Sequence, residues 1–297
     1  MKSSSLYQEA QDWRTEDQTN IHHLNVGSFV EFPEVGPQEA SGRTDEDIVL
    51  SIIKSGRVSL SFQPIFKLTN GRLDVSKFES FTVWAGESGR FVRPEAAQAI
   101  ADRHGLTGQL LEDVLVKTFQ RCADLPNHIR VTINLTQDQL LHHTLVSQLV
   151  KSSNLTGFDI GRVIFEVSEK MTVSAIPKMR ARLKELKMLG ASIALDDFGI
   201  CAAGMSILGD LPLDIIKFDK SLLHGARNNK EQLRLLNGLA TLFNQRFETV
   251  VFEGVETKKD FSSINKNPSV QYQGFYFGKI LRLQNLRDYV FRRDWSL

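Results

Sequence analysis

The sequence predicts an α/β barrel of the TIM type, and three features of the 297-residue chain lead to this prediction. From Thr44 onward, strand-like segments alternate with helix-like segments, which is typical of crossover units and a largely parallel sheet. The strand candidates number eight, which favours a closed barrel over an open sheet. The chain length also suits an α/β barrel that folds as one domain.

The strand candidates are short and rich in β-branched and aromatic residues. They are residues 58–66, 73–84, 129–134, 162–166, 191–196, 213–217, 249–253 and 269–273. The helix candidates have apolar residues spaced three and four apart. They are residues 45–54, 95–104, 109–122, 137–150, 176–189, 231–243 and a shorter segment near Lys258.

Residues 1–44 differ from the rest of the chain, and we interpret them as an N-terminal extension with a linker. Acidic side chains outnumber basic ones there, and a stretch containing Pro and Gly at 33–42 separates them from the main body. This composition predicts a mobile or loosely docked segment, with an autoinhibitory or partner-binding role as an open alternative. Residues 45–297 then form the main domain.

Composition and charge exclude several classes of function. The formal net charge of +1 gives no broad field that would attract a nucleic-acid polymer or an anionic membrane. The chain has no run of about 18 apolar residues and no signal-peptide pattern. Its two cysteines, Cys122 and Cys201, are far apart and lack zinc or disulfide spacing. We therefore expect a cytoplasmic protein with free thiols.

Polar side chains stand at the ends of seven of the eight strand candidates. They are Glu79, Asn134, Glu166, Asp196 with Asp197, Lys217, Glu253 and Gln273. A barrel enzyme collects the ends of its strands at one mouth, so we expect these groups to converge. Converging carboxylates repel one another unless cations neutralise them, and their hard oxygens suit Mg²⁺ or Mn²⁺ better than Zn²⁺. The pattern therefore predicts a divalent-metal site.

The ordered motifs around these positions resemble the EAL domain, a family of bacterial phosphodiesterases that act on cyclic di-GMP. The resemblance extends from about Asp45 to the C-terminus. It rests on the segments Phe78-Glu79-Ser80-Phe81-Thr82-Val83-Trp84, Ile133-Asn134-Leu135-Thr136, Phe165-Glu166-Val167-Ser168-Glu169, Leu195-Asp196-Asp197-Phe198-Gly199, Ile216-Lys217-Phe218-Asp219, Glu253-Gly254-Val255-Glu256-Thr257 and Gln273-Gly274-Phe275-Tyr276-Phe277.

This resemblance implies a modified TIM barrel, with its first strand antiparallel to the others, and a site for two Mg²⁺ or Mn²⁺ ions. The implied ligands of the first ion are Glu79, Asn134, Glu166 and Asp196. Asp196 and Asp197 are the implied ligands of the second ion, with Glu253 nearby or bound through water. Two such ions can activate water and stabilise charge on a phosphodiester, which would give linear pGpG.

The resemblance also implies roles for four further residues. Lys217 would polarise the attacking water and act with Glu253 and Asp197 in catalysis. Gln273 would orient groups at the mouth, and Gln63 would lie near the substrate. Glu169 would brace the loop that follows Asp197. A homodimer is implied as well.

The chain departs from the family pattern at several positions. Val83 stands where the family has an arginine, so a charge-assisted contact to phosphate is lost. The loop at 200–205 lacks the usual threonine and most hydroxyls, and Ile200 replaces the expected partner of Glu169. The signature Glu-Ala-Leu reads Glu79-Ser80-Phe81, while Phe252 and Ile280 replace an alanine and a proline.

Two main interpretations follow from these observations. The intact polar positions favour a cyclic di-GMP phosphodiesterase. The changed 200–205 loop and Val83 favour a catalytically degenerate domain that binds cyclic di-GMP, or a protein partner through this loop or the N-terminal extension. A third interpretation is another metal-dependent barrel enzyme that acts on an enolate or a phosphorylated substrate.

Overall fold

The computed structural model of the protein describes residues 43–86, 90–201, 204–282 and 286–291. Nearly all of the predicted N-terminal extension therefore lies outside the described residues. The first described helix, α1 (Asp45–Lys54), begins at a capping box in which Thr44 and Asp47 bond each other's backbone N–H groups.

Nine strands in the described part of the chain form a single sheet. They are β1 (Ser59–Thr69), β2 (Arg72–Val83), β3 (Arg130–Leu135), β4 (Val163–Ser168), β5 (Ser192–Phe198), β6 (Ile215–Phe218), β7 (Thr249–Phe252), β8 (Val270–Gln273) and β9 (Leu281–Arg282). The strand order runs from β2 to β8 in sequence, then to β1, and β1 also pairs with β2. This closes an eight-stranded barrel, and β9 adds only two residues beside β1.

Strand direction agrees with the sequence prediction. The pairs from β2–β3 to β7–β8 are all parallel. Strand β1 is antiparallel to both of its barrel neighbours, β2 and β8. The modified TIM barrel is therefore confirmed, including its antiparallel first strand.

Helices cover the outside of the barrel. After α1 they are α2 (Pro94–Arg103), α3 (Thr107–Cys122), α4 (Gln137–Leu141), α5 (Leu145–Thr156), α6 (Ile176–Met188), α7 (Gly204–Asp210), α8 (Lys220–Ala226), α9 (Lys230–Phe243), α10 (Lys258–Ser263) and α11 (Leu286–Phe291). None of those in the described ranges is long and apolar enough to cross a bilayer.

The predicted helix at 137–150 is wrong in one respect, because the structure divides it into α4 and α5. His142 has an extended backbone, with φ −63° and ψ 131°, and its ring lies 2.8 Å from the Thr144 hydroxyl. The local hydrogen bond and the extended residue end the first helix. The short helices α7 and α8 were not predicted, since two turns give too little apolar periodicity to recognise.

The barrel interior contains a small apolar layer directly below the polar strand ends. It is formed by Ile65, Ile164, Ala194, Ile215 and Val251. Successive side chains of a strand point to opposite faces, so each of these residues shares a face with the polar residue two positions away. In β1 the order is reversed, because Ile65 follows Gln63 in a strand that runs the other way. This layer positions the polar groups at the mouth.

Candidate metal centre

Parallel strands bring the predicted polar residues to one end of the barrel. Glu79 lies in β2, Glu166 in β4 and Asp196 in β5. Lys217 lies in β6, and Glu253 directly follows β7. The strands run in the same direction, so these side chains reach the same mouth although they are far apart in sequence.

Lys217 lies at the centre of this group, with 1% of its side chain exposed. Its Nζ atom is 3.0 Å from Glu79 Oε2, 2.9 Å from Glu166 Oε2, 3.0 Å from Asp196 Oδ1 and 2.8 Å from Glu253 Oε1. One ammonium group therefore contacts four carboxylates. A single positive charge balances only part of their negative charge, so the site can accept a further cation.

Among the residues that the structure describes, three carboxylates meet the geometric requirement for holding a metal ion. Glu79, Glu166 and Asp196 each offer an oxygen, and the three atoms lie within 4.8 Å of one another. Glu166 Oε1 and Gln273 Oε1 are buried and accept no hydrogen bond. Buried polar atoms rarely lack a partner, and oxygen ligands suit Mg²⁺ or Mn²⁺. The donor set therefore fits one hard divalent ion.

Burial and charge shift the ionisation of these groups in opposite directions. Burial raises the pKa of Glu166 well above its ordinary value, and the neighbouring charge of Glu79 adds to this. Burial likewise raises the pKa of Glu253 well above its ordinary value. For Glu79, burial acts upward, but the charge of Lys217 and hydrogen bonds from Gln273 and Asn134 bring its pKa below the ordinary value. The site therefore combines one carboxyl group of lowered pKa, Glu79, with two of raised pKa, Glu166 and Glu253.

Lys217 remains charged in this environment. Burial acts to lower its pKa, but the surrounding carboxylates outweigh burial and raise the pKa well above its ordinary value. The side chain is therefore a fixed positive charge rather than a neutral amine, and it cannot serve as a general base.

Amide side chains orient the Glu79 carboxylate. Asn134 Nδ2 donates to Glu79 Oε1 at 3.0 Å, and Gln273 Nε2 donates to Glu79 Oε2 at 2.7 Å. Gln273 Nε2 also donates to Gln63 Oε1 at 3.0 Å, and both glutamines are buried. The structure thus brings Gln63, Asn134 and Gln273 to the predicted site, where the contacts are to Glu79 and to one another.

Asp197 is placed differently from the other predicted ligands. Its backbone has φ +59°, next to an irregularity in the β5–β6 pairing. Its Oδ2 atom accepts a hydrogen bond from Lys170 Nζ at 2.7 Å. Burial acts to lower the pKa of Lys170, but the hydrogen bond and charge of Asp197 raise it. Among the described residues, the three-carboxylate group does not include Asp197.

Glu169 braces the loop after Asp197 through backbone groups. It accepts hydrogen bonds from the N–H groups of Gly199 at 2.7 Å and Cys201 at 3.0 Å. Its own N–H donates to the Asp196 carbonyl at 3.1 Å. The missing hydroxyl at Ile200 therefore does not remove the brace. Residues 202–203 of the changed loop lie outside the described part of the chain.

The loops after β7 and β8 are in very close contact. A Cβ atom on Gly274 would lie 2.1 Å from the Val255 carbonyl oxygen, so only glycine fits there. Val255 N–H donates to the Gln273 carbonyl at 3.0 Å, and His224 Nε2 lies 2.9 Å from the Gly254 carbonyl. These contacts fix the segment that carries Glu253.

A cavity of about 770 Å³ opens above the carboxylates. Ligand pockets are typically of this size. Its lining includes Trp84, Gln98, Lys170 and Lys220 beside the predicted site residues. Sequence reasoning missed the two lysines, although Lys170 directly follows Glu169 and Lys220 directly follows the Asp219 helix cap.

The fold and site together define a class, namely α/β barrels with a carboxylate-rich centre at the C-terminal mouth. Within that class, residues 46–280 match the family model of the EAL domain. The match covers most of the chain, which therefore belongs to the EAL domain family. The family resemblance read from the sequence motifs is confirmed.

Individual relatives and solved structures agree with this assignment. The chain is 30% identical over 242 residues to the probable cyclic di-GMP phosphodiesterase PdeG of Escherichia coli, covering 80% of this chain and 47% of that protein. It is 25% identical to the cyclic di-GMP phosphodiesterase NbdA of Pseudomonas aeruginosa, covering 82% of this chain and 32% of that protein. The match thus spans less than half of the length of either relative.

A solved structure with the same fold is the FimX EAL domain of Pseudomonas aeruginosa bound to cyclic di-GMP. Its TM-score is 0.70 at 19% identity, and the alignment covers 80% of this chain and 97% of that one. Klebsiella pneumoniae BlrP1, in a complex with calcium and cyclic di-GMP, gives a TM-score of 0.66 at 24% identity. That alignment covers 76% of this chain and 56% of BlrP1.

Proposed function

We propose that this chain is a divalent-metal-dependent phosphodiesterase that cleaves one phosphodiester of cyclic di-GMP and releases linear pGpG. The observation that carries the proposal is the contact of Lys217 with four carboxylates at the barrel mouth. Two curated relatives carry cyclic di-GMP phosphodiesterase names, and FimX and BlrP1 have been solved with the dinucleotide. The cavity above the carboxylates, at about 770 Å³, has the volume of a typical small-molecule site.

The side chains of Glu79, Glu166 and Asp196 would hold a divalent ion, either Mg²⁺ or Mn²⁺. The chemistry that such an ion supplies when bound is Lewis-acid activation of water and stabilisation of phosphate charge. Asn134 and Gln273 keep Glu79 in a fixed orientation. Lys217 offsets part of the negative charge and holds the carboxylates together as the substrate phosphate approaches.

The alternative is a domain that binds the dinucleotide without cleaving it, and Val83 is the observation in its favour. No arginine lines the described part of the cavity, so the phosphate contacts would fall to Lys170 and Lys220. The retained brace at Glu169 supports the enzyme instead, because the loop is held to the Asp196 segment despite its changed sequence.

We also propose that the protein acts in the cytoplasm as a homodimer. The cytoplasmic proposal is supported by Cys122 and Cys201, which are both free thiols. Size-exclusion chromatography with light scattering checks the dimer. A monomeric mass at every concentration, in protein that still binds cyclic di-GMP, would contradict it.

Product formation tests the activity directly. Purified protein is incubated with cyclic di-GMP and MnCl₂, and pGpG is separated by chromatography. We expect the wild type and Glu112→Gln to form pGpG, because Glu112 is paired with Lys151 at the surface and does not line the cavity. Glu166→Gln should lose at least about 100-fold in rate, since a charged ligand is replaced by a neutral amide that binds the ion more weakly. Calorimetric binding of the dinucleotide by folded protein, with no pGpG formed, would instead support the non-catalytic alternative.

A further inference from the structure

The turn after β4 carries a positive charge to the edge of the metal centre. Lys170 N–H donates to the Ser168 hydroxyl at 3.2 Å, which fixes the start of this turn. The adjacent Glu169 bonds the backbone of Gly199 and Cys201. The segment with Lys170 and the segment with Asp197 are therefore held together by bonds that do not involve either side chain.

Within this frame, Lys170 Nζ lies 2.7 Å from Asp197 Oδ2. The lysine side chain is 46% exposed and that of Asp197 is 27% exposed. An ion pair this open to water is weak, so a competing cation can displace it. The pair still offsets the charge of Asp197. It also places a positive charge beside the residue that directly follows Asp196 of the carboxylate centre.

The two metal positions implied by the family resemblance therefore differ in this chain. The first has three carboxylates with oxygens close together and an unpartnered oxygen on Glu166. The second depends on Asp197, whose carboxylate is engaged by Lys170. An ammonium group and a divalent ion carry like charges and compete for the same carboxylate, so a divalent ion beside Asp197 must displace the ammonium group.

We propose that Lys170 sets the number of metal ions that this site holds. The chain binds one divalent ion tightly at Glu79, Glu166 and Asp196, and binds a second only by displacing Lys170 from Asp197. This inference deepens the proposed function, because it assigns the metal content of the same site, and it rests on that site being a metal centre.

The test counts bound ions rather than product. Folded protein is titrated with MnCl₂, and free Mn²⁺ is measured by electron paramagnetic resonance. In the wild type we expect one ion per chain to bind first and the second to bind more weakly. Lys170→Met should tighten the second ion by about threefold to fivefold and leave the first within about twofold. Lys170→Gln serves as a second variant without the charge, and Lys170→Arg should restore wild-type binding.

Two controls isolate the contact. Lys184 is an exposed lysine in the third turn of α6 and is not among the residues that line the cavity, so Lys184→Met removes an equal charge outside the centre and should leave both ions unchanged. Adding Asp197→Asn to Lys170→Met should abolish the gain in the second ion. Two equivalent ions in the wild type, or no change in Lys170→Met and Lys170→Gln, would overturn this inference.

The outcomes also separate this inference from the proposed function. Mn²⁺ counts that follow the expected pattern in protein that forms no pGpG would support the role of Lys170 and refute the activity. Product formation with two equal ions would refute the role of Lys170 alone. Absence of Mn²⁺ binding to the folded wild type would overturn both.

Discussion

The environment of Lys217 shows how one ammonium group makes the close approach of four carboxylates at the barrel mouth energetically possible. Removing an ammonium group and four carboxylates from water is unfavourable unless the charges are paired closely. Lys217 Nζ meets all four carboxylates within 3.0 Å, and Glu79 also receives hydrogen bonds from two amides. Glu166 and Glu253 relieve the remaining repulsion by raised pKa values, which favour their protonated forms when no metal is bound.

Replacement of Lys217 by methionine tests this balance. Without the ammonium group the carboxylates lose their shared partner, so we expect Lys217→Met to lower the free energy of unfolding by about 3–5 kcal/mol. Excess MnCl₂ should recover part of the loss, because a divalent ion can replace the missing charge. Urea denaturation with and without MnCl₂ measures both effects, and pGpG formation should remain absent in either case. If Lys217→Met, measured without MnCl₂, has the same free energy of unfolding as the wild type, this explanation is wrong.

Metal binding should also be coupled to pH. Burial raises the pKa values of the ligands Glu166 and Asp196 above the ordinary carboxyl value, so a metal ion competes with protons for their oxygens as it binds. Apparent Mn²⁺ affinity should therefore rise with pH, by up to about tenfold per pH unit for each proton released, until the raised pKa values are passed. Calorimetry in two buffers of different ionisation enthalpy measures the release. A binding heat independent of the buffer at mildly acidic pH would refute it.

At the level of strands and loops, the contact between the β7 and β8 loops positions Glu253. A methyl group on Gly274 would meet the Val255 backbone at 2.1 Å, and a backbone atom cannot move aside as a flexible side chain can. We expect Gly274→Ala to destabilise the fold by about 2 kcal/mol or more and to weaken Mn²⁺ binding. Thermal and urea unfolding measure the first effect, and Mn²⁺ titration measures the second.

Gly238 provides a matched control for this substitution. It lies within α9, is exposed, and a Cβ atom there would meet nothing within 4 Å. Gly238→Ala should therefore stabilise the protein by about 0.5–1 kcal/mol through helix propensity. If both substitutions change the free energy of unfolding by similar amounts, the close contact between the β7 and β8 loops does not require glycine at position 274.

Some elements could be predicted from the sequence because their signals are local. The strands are rich in β-branched and aromatic residues, which mark them in the sequence. The antiparallel direction of β1 was instead predicted from the family resemblance. The break between α4 and α5 could not be predicted, since no Gly or Pro marks it and the His142–Thr144 contact is visible only in three dimensions. The partners of Glu169 could not be predicted for a related reason, because they are backbone N–H groups that a substitution at Ile200 leaves in place.

In the barrel as a whole, closure of the sheet is the reason that the location of the site can be predicted from the sequence. Once the barrel closes, the carboxyl ends of the seven parallel strands β2 to β8 must meet at one mouth, so Glu79, Glu166 and Asp196 converge whatever the connecting helices are. Closure does not determine which charges pair at the mouth. The separation of Asp197 from the other carboxylates depends on a left-handed residue and on the turn that carries Lys170, and neither has a recognisable pattern in the sequence.

Because its ligands come from β2, β4 and β5, a bound ion should stabilise the barrel as one cooperative unit. At a concentration 100 times its dissociation constant, Mn²⁺ should add about 2.7 kcal/mol to the free energy of unfolding. For a domain of this size, that corresponds to a rise of about 5–10 °C in Tm. Differential scanning calorimetry with MnCl₂, and again after addition of a chelator, measures the rise and its reversal. Glu166→Gln should lose most of the rise, because it replaces a charged ligand of the ion by a neutral amide, whereas Glu112→Gln should keep it. If Glu166→Gln gains as much as the wild type, the ion binds elsewhere and the carboxylates at the mouth are not its site.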